Sequence, residues 1–201
     1  YLVVIGDVKS NNIKPVVEKL FGTKKKGSAP KLSYTDPKNV DITQINFIDM
    51  PNAVQSEISL VNTINLKMSD PDFFPAAIAT YILGGDINSY LNMNLREKHG
   101  WTYGANATIG SGKYVSKLKS ASAVRSIATD SAVVEFIKEI KKIRTEEVSD
   151  ELLANVKAGY IGRFVMQVQK PQAVARYALN IETEKLPADF YENYIKNITA
   201  V

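Results

Sequence analysis

The chain has 201 residues, of which 45% are hydrophobic and 23% are charged, and its formal net charge is +4. This composition is typical of a globular protein with a sizeable core and excludes a generally disordered chain. The sequence has no cysteine, which excludes a disulfide framework and a thiolate metal site. No apolar run is long enough for a transmembrane segment, so we expect a soluble protein of a bacterial-type cytoplasm or periplasm.

The first part of the chain predicts a strand, a helix and a loop. Tyr1–Val8 is apolar and β-branched, which predicts a buried strand. Ser10–Gly22 starts with capping residues, carries apolar residues at helical spacing and ends in glycine, which predicts a helix. Thr23–Lys38 is rich in lysine, glycine and proline and predicts an exposed loop. Because the chain opens inside an apolar run and without Met, we expect a piece of a longer two-domain protein.

Four further segments have the alternation or apolar content of strands. Ile42–Ile48 and Gln55–Ile64 are separated by a Pro-Asn turn signal, which predicts an antiparallel pair. Trp101–Ile109 and Tyr114–Val124 flank a Gly-Ser-Gly turn and predict a second pair. Mixed lysines in the last segment indicate one solvent-facing side.

Helical spacing of apolar residues follows several start signals. The predicted helices start at Asp70-Pro71, Asp86, Asp130, Ser149-Asp150, Pro171 and Pro187, and the last two run to Thr183 and Ile198. The element order is β-α-β-β-α-α-β-β followed by four helices. This order predicts an α+β fold of two layers, a largely antiparallel mixed sheet with helices packed on one face, in a single domain over residues 1–201.

Most common catalytic motifs are missing from the sequence. His99 is the only histidine, so a zinc site with two histidines cannot form within this chain. No nucleophile elbow, phosphate-binding loop or dinucleotide fingerprint is present. Glu146-Glu147 and Asp150-Glu151 lie at a helix boundary and are interpreted as capping and solvated residues. His99 is interpreted as a polar residue at a helix C-terminus.

One stretch, Leu83–Tyr103, carries the most specific pattern in the chain. Gly84-Gly85 ends one helix, a second helix ends in Leu95-Arg96-Glu97-Lys98, and Tyr103 follows Gly100. The turn at Gly100 could fold Arg96 and Tyr103 toward each other as a guanidinium beside a phenol. The alternative is that Arg96 pairs with Glu97 or a neighbouring acid while Tyr103 packs in the sheet.

This stretch resembles the pitrilysin or insulinase-like zinc metallopeptidases, which include the mitochondrial processing peptidases. Their non-catalytic half-domains carry the Gly-Gly break, the Leu-Arg-Glu-Lys helix end, the glycine and the tyrosine, and the opening Val-Val-Ile-Gly-Asp-Val is also similar. The resemblance implies a metallopeptidase half-domain fold. It also implies that Arg96 and Tyr103 bind the peptide substrate and stabilise the transition state. Ser89-Tyr90 departs from the Ser-Arg of many members, which leaves substrate preference open.

The resemblance further implies a partner and a cofactor outside this chain. A domain or subunit with the motif H-x-x-E-H would bind zinc and supply the general base. This chain would then hold no catalytic residue and no metal itself. A non-proteolytic structural or interaction domain of the same fold is the alternative function, and a dimer is an alternative assembly. Nucleic-acid binding through Lys24–Lys26 is not favoured, because no aromatic residues are interleaved with these lysines.

Overall fold

The computed structural model describes every residue except 26, 29–32 and 113. Within the described residues, the strands are β1 (Gln55–Ile64), β2 (Ala105–Ile109) and β3 (Ser116–Arg125). The α-helices are α1 (Ser10–Phe21), α2 (Phe73–Gly84), α3 (Thr129–Thr145), α4 (Asp150–Val168), α5 (Pro171–Thr183) and α6 (Tyr194–Thr199). A π-helix (Asn92–Lys98) follows α2, and a 3-10 turn (Ser126–Ala128) precedes α3. In this described part of the chain, no helix combines the length and hydropathy needed to cross a bilayer.

The described strands form one sheet with the order β1-β3-β2, in which β3 pairs antiparallel with both neighbours. Ser120 of β3 lies opposite Leu60 of β1 and Ala107 of β2. In the second half of β3 every second residue is buried, since Ser120, Ser122 and Val124 are 1%, 4% and 0% exposed. This period of two is that of a strand with one covered face. The α+β class with an antiparallel sheet and a helical layer is therefore confirmed.

Two apolar clusters hold the layers together. The first joins the sheet, the π-helix and α3 and includes the fully buried Leu95, Val124 and Phe136. The second lies among the helices and includes Phe74 and Ile198. Burial of each such side chain contributes about 1.5–3 kcal/mol relative to exposure. All members of both clusters lie after β1 begins, so the described part of the chain builds its core without residues 1–54.

The prediction of a buried strand at Tyr1–Val8 is wrong. The segment forms no strand, and its large apolar side chains are between 42% and 82% exposed. A strand is stabilised by hydrogen bonds to a neighbour, and none of the three described strands pairs with this segment. Helix α1 forms as predicted, but it buries none of its residues. The apolar side chains of both elements are therefore not buried by any described part of this chain.

The predicted pairing of Ile42–Ile48 with β1 is also wrong, because no strand forms there. Its four large apolar side chains are between 77% and 87% exposed, so no helical layer covers them. Asn39 instead meets the outer edge of β1. Its side chain donates to the Thr63 carbonyl at 2.9 Å and accepts from the Thr63 amide at 2.8 Å. The Asn39 amide thus replaces the backbone of a neighbouring strand at that position.

Several predicted boundaries shift by a few residues. Helix α2 begins at Phe73 rather than at Asp70, because Asp70 closes a turn before the helix. The Asp70 carboxylate accepts from the Lys67 amide at 2.8 Å, and its carbonyl accepts from the Phe73 amide at 3.1 Å. The strand expected from Trp101 begins at Ala105, since the preceding residues form a loop. Side-chain hydrogen bonds there displace the strand ladder.

Two other predictions concern segments with little regular structure. The predicted helix Pro187–Ile198 is α-helical only from Tyr194, after a series of turns, and α6 ends at Thr199. The described residues of the loop Thr23–Lys38 are exposed and contain no helix or strand, as predicted. Residues 26 and 29–32 of that loop, including the last lysine of Lys24–Lys26, lie outside the described residues.

Candidate functional site

The helix end of the motif is a π-helix, Asn92–Lys98, where the sequence predicted an α-helix. Wide helical turns of this kind are rare and occur frequently at functional sites. Leu95 is fully buried in the core, whereas the side chain of Arg96 keeps 38% of its exposure. Gly100 adopts a left-handed φ of 61°, and its amide donates to the Arg96 carbonyl at 2.9 Å. A glycine in this conformation ends a helix at little steric cost.

Close packing explains both glycines at the start of the motif. A Cβ on Gly84 would lie 2.3 Å from the Ala107 nitrogen, because α2 packs directly on β2. A Cβ on Gly85 would lie 2.4 Å from the ring of Tyr81. Any side chain at either position would force the backbone apart. Gly84 therefore sets the distance between α2 and β2, whereas Gly85 leaves room for Tyr81 of its own helix.

Asn92 ties the two ends of the motif together from a buried position, where it is 7% exposed. Its Nδ2 lies 2.8 Å from the Ala105 carbonyl and 2.8 Å from the Asp86 carbonyl, and its Oδ1 accepts from the Ala105 amide at 2.9 Å. The amide thus satisfies both backbone groups at the first residue of β2. No sequence signal marks Asn92, since its partners are brought to it only by the fold.

The loop before β2 is anchored on both sides of Tyr103. Thr102 Oγ1 donates to the Ala123 carbonyl of β3 at 2.7 Å and accepts from the Gly104 amide at 3.0 Å. Ser122 Oγ lies 2.8 Å from Thr102 Oγ1 and 2.9 Å from the Gly104 carbonyl. The backbone around Tyr103 is therefore held to the central strand by small polar side chains. Sequence reasoning did not identify Thr102 or Ser122.

The two predicted site residues differ in their surroundings. Arg96 Nε lies 3.6 Å from Glu97 Oε1, an ion pair of partly exposed groups. Tyr103 is 93% exposed and does not pack in the sheet. Within the described part of the chain, no hydrogen bond joins the two side chains. The turn therefore presents a guanidinium with a weak acidic partner and an unobstructed phenol.

Asn94 connects the π-helix to α3 through two carboxylates. Its Nδ2 lies 2.8 Å from Glu135 Oε2 and 2.5 Å from Glu139 Oε1. Glu135 also pairs with Lys138, and only 13% of its side chain is exposed. The hydrogen bonds from Lys138 and then Asn94 lower the pKa of Glu135, because both favour its charged form. These hydrogen bonds hold the π-helix against α3.

His99 has a packing role in this structure. Its ring stacks on Trp101 with a centroid distance of 4.0 Å, and its Nε2 is buried without a protein partner. It follows the π-helix, as the sequence predicted for a polar residue at a helix end. Among the described residues, no group of three histidine, aspartate or glutamate side chains is placed to hold a metal ion.

Comparisons with known proteins agree with the resemblance seen in the motif. The sequence model of the protein family described as "Peptidase M16 inactive domain" matches residues 1–160 of this chain. A Bacillus subtilis (strain 168) protein named "Probable inactive metalloprotease YmfF" is 24% identical over 159 residues, which are 78% of this chain and 36% of that protein. The chain thus spans little more than a third of this relative.

Two solved structures share the fold over nearly the whole chain. A protease from Helicobacter pylori aligns with a TM-score of 0.83 at 16% identity, covering 98% of this chain and 48% of that one. A peptidase M16 inactive domain from Pseudomonas fluorescens aligns with a TM-score of 0.79 at 17% identity, covering 98% and 46%. Since the family match covers most of the chain and the fold agrees, the chain belongs to the peptidase M16 inactive-domain family, the C-terminal non-catalytic domain of pitrilysin-like proteins.

Proposed function

We propose that this chain is the peptide-binding, non-catalytic half of a pitrilysin-type zinc metallopeptidase, in which Arg96 and Tyr103 contact the substrate. One observation carries the proposal. The backbone on either side of Tyr103 is tied to β3 through Thr102, Ser122 and Gly104, while the tyrosine side chain is 93% exposed. Core packing does not explain a fixed loop that holds an aromatic side chain in solvent. Fixed loops that expose such residues are typical of binding sites.

The two side chains suit different parts of a peptide. Arg96 is permanently charged and offers several donors in a planar fork, which matches backbone carbonyls or a carboxylate. Its present partner Glu97 is half exposed, and such surface pairs contribute about 0–1 kcal/mol, so a peptide can replace it at little cost. The Tyr103 hydroxyl can donate to an oxyanion that develops on a peptide carbonyl.

The catalytic group comes from a partner in this proposal. The motif H-x-x-E-H requires two histidines and this chain has one, so zinc and the general base belong to another domain, in the same polypeptide or in a separate subunit. Zinc held there would polarise the peptide carbonyl and activate water. A peptide bound to Arg96 and Tyr103 would meet the zinc only when the two halves close on it.

The exposed apolar side chains in the described part of residues 1–54 suit this partner. Tyr1–Ile5, helix α1 and Ile42–Ile48 all present large apolar side chains to solvent, including Leu20 at 62% and Phe47 at 80%. Exposed large apolar side chains in this number are unusual on monomers and indicate an interaction site. This chain covers 48% and 46% of the two solved relatives, so about half of each relative lies outside the match. We assign the exposed surface to contact with that other half, which in our proposal is the catalytic one.

Direct peptide binding tests the proposal on this chain. The probe is a fluorescein-labelled β-casein peptide, followed by fluorescence anisotropy. Arg96→Ala is expected to weaken binding about tenfold, because hydrogen bonds to a charged group contribute about 1.5–3 kcal/mol. Lys98→Ala removes an exposed cation from the same π-helix and serves as the matched control, with binding expected within about twofold of wild type. Equal affinity of wild type and Arg96→Ala would overturn the assignment of Arg96.

A non-proteolytic interaction domain is the second candidate function. The observation that favours it is the name of the Bacillus subtilis relative, which describes that protein as an inactive metalloprotease. In that case the exposed surface of residues 1–54 would bind a partner without H-x-x-E-H. Arg96 and Tyr103 would still bind a peptide, but the peptide would not be hydrolysed. Zinc and activity measurements on the whole gene product separate the two candidates.

A further inference from the structure

A pocket of about 230 Å³ opens among helices α2, α4, α5 and α6, and no functional residue discussed above lines it. Tyr81, Phe164, Tyr177 and Tyr194 form its walls, and Arg163 and Gln167 lie at its edge. Pockets for drug-sized ligands are typically about 300–1,000 Å³. This one is smaller, and its size suits a single large side chain.

The aromatic rings that line the pocket stack on one another. The Phe164 ring stacks on Tyr194 with a centroid distance of 4.4 Å and an interplanar angle of 17°. The ring of Tyr177 lies at 5.9 Å on Phe164, also nearly parallel. Burial raises the pKa of Tyr194, whose hydroxyl lies 3.4 Å from that of Tyr160. Such walls favour a planar apolar group, which gains contact area and favourable ring geometry.

Arg163 supplies a positive charge that is already held in place. Its guanidinium lies 4.8 Å from the centre of the Tyr81 ring, and one Nη donates to the Gly85 carbonyl at 3.1 Å. Within the described residues it forms no ion pair, so its other N–H groups remain available to a ligand. Gln167 lies one helical turn further along the same edge. A fixed guanidinium beside an amide matches a carboxylate.

We propose that this pocket binds an aromatic ring that carries a nearby carboxylate, the chemistry of a C-terminal phenylalanine of a peptide or of a small aromatic acid. The ring would lie against Phe164 and Tyr177, and the carboxylate would pair with Arg163. Aromatic walls can also hold a quaternary ammonium group. Here the charge of Arg163 opposes a cationic ligand. This proposal does not depend on the role of Arg96 and Tyr103.

Titration of this chain by isothermal calorimetry tests the proposal with small probes. N-acetyl-phenylalanine is expected to bind, and N-acetyl-phenylalaninamide about tenfold more weakly, because it lacks the charge. A peptide ending in phenylalanine distinguishes the two ligand sources, since tighter binding than the small acid indicates a peptide C-terminus and equal binding indicates a free acid. Equal affinity for acid and amide, or binding of tetramethylammonium in preference to both, would overturn the proposal.

Variants of the chain place the binding at this pocket. Arg163→Gln keeps an exposed polar side chain and should weaken N-acetyl-phenylalanine about tenfold. Arg144→Gln, an exposed arginine on α3, is the matched control and should leave the affinity unchanged. Tyr177→Ala removes one wall and should also weaken the acid. Circular dichroism confirms that each variant is folded. If Arg163→Gln binds the acid as wild type does, the pocket is not the site.

Discussion

In the zinc peptidase that we propose for the whole gene product, Tyr103→Phe is expected to lower kcat about 100-fold while KM changes little. The change removes one hydroxyl, which in our proposal donates to an oxyanion that exists only in the transition state. A donor that acts only there contributes to kcat rather than to substrate affinity. The measurement is steady-state hydrolysis of a fluorogenic peptide, with zinc content determined on the same sample.

The position of Tyr103 in the structure separates an effect of Tyr103→Phe on catalysis from an effect on folding. Tyr103 is 93% exposed and its ring contributes nothing to the core, so loss of the hydroxyl leaves no cavity and no buried group without a partner. Tyr34→Phe is the matched control, because Tyr34 is also exposed, at 62%. Wild-type turnover of Tyr103→Phe, with zinc and folding intact, would remove Tyr103 from the mechanism.

Asn92→Ala is expected to destabilise this chain by about 3 kcal/mol. The substitution leaves the amide and the carbonyl of Ala105 without partners, and each buried unsatisfied group costs about 1–3 kcal/mol. This is a large fraction of the stability of a typical domain, which is about 5–15 kcal/mol. Urea unfolding, compared at unchanged m-value, measures the effect.

The same variant tests whether Asn92 positions the turn. In the proposed peptidase, Asn92→Ala should lower kcat at a temperature where the variant remains folded, because the Ala105 end of the loop is no longer held. Asn88→Ala changes an exposed asparagine of the same segment and should alter neither stability nor kcat. A stability of Asn92→Ala equal to that of wild type would show that the hydrogen bonds of Asn92 to Ala105 do not stabilise the fold.

The sequence predicted correctly those elements whose hydrogen-bonding and packing partners lie within the described residues. Gln55–Ile64 forms a strand with the predicted bounds, and Ser149 caps α4 by accepting from the Leu152 amide at 3.3 Å. Tyr1–Val8 and Ile42–Ile48 have equally good strand patterns but form none. Alternation and β-branching indicate that a segment suits a sheet, whereas pairing depends on a neighbouring strand and a covering layer.

The candidate site was predictable only in part, for a related reason. The motif identified Arg96 and Tyr103 because its residues are close in sequence. Asn92, Thr102 and Ser122 hold the turn through partners that are up to 21 positions away and belong to other elements. No local pattern marks such residues. The π-helix was likewise missed, since its apolar spacing fits an α-helix equally well.

The most direct test of the central claim compares zinc content and peptidase activity in the whole gene product with those of this 201-residue chain alone. We expect about one zinc ion and peptide hydrolysis in the whole product, or in its mixture with a separate H-x-x-E-H subunit, and neither in this chain. Stoichiometric zinc and hydrolysis by this chain alone would contradict its assignment as the non-catalytic half. An inactive, metal-free product even with that subunit present would contradict the peptidase itself and leave the interaction domain.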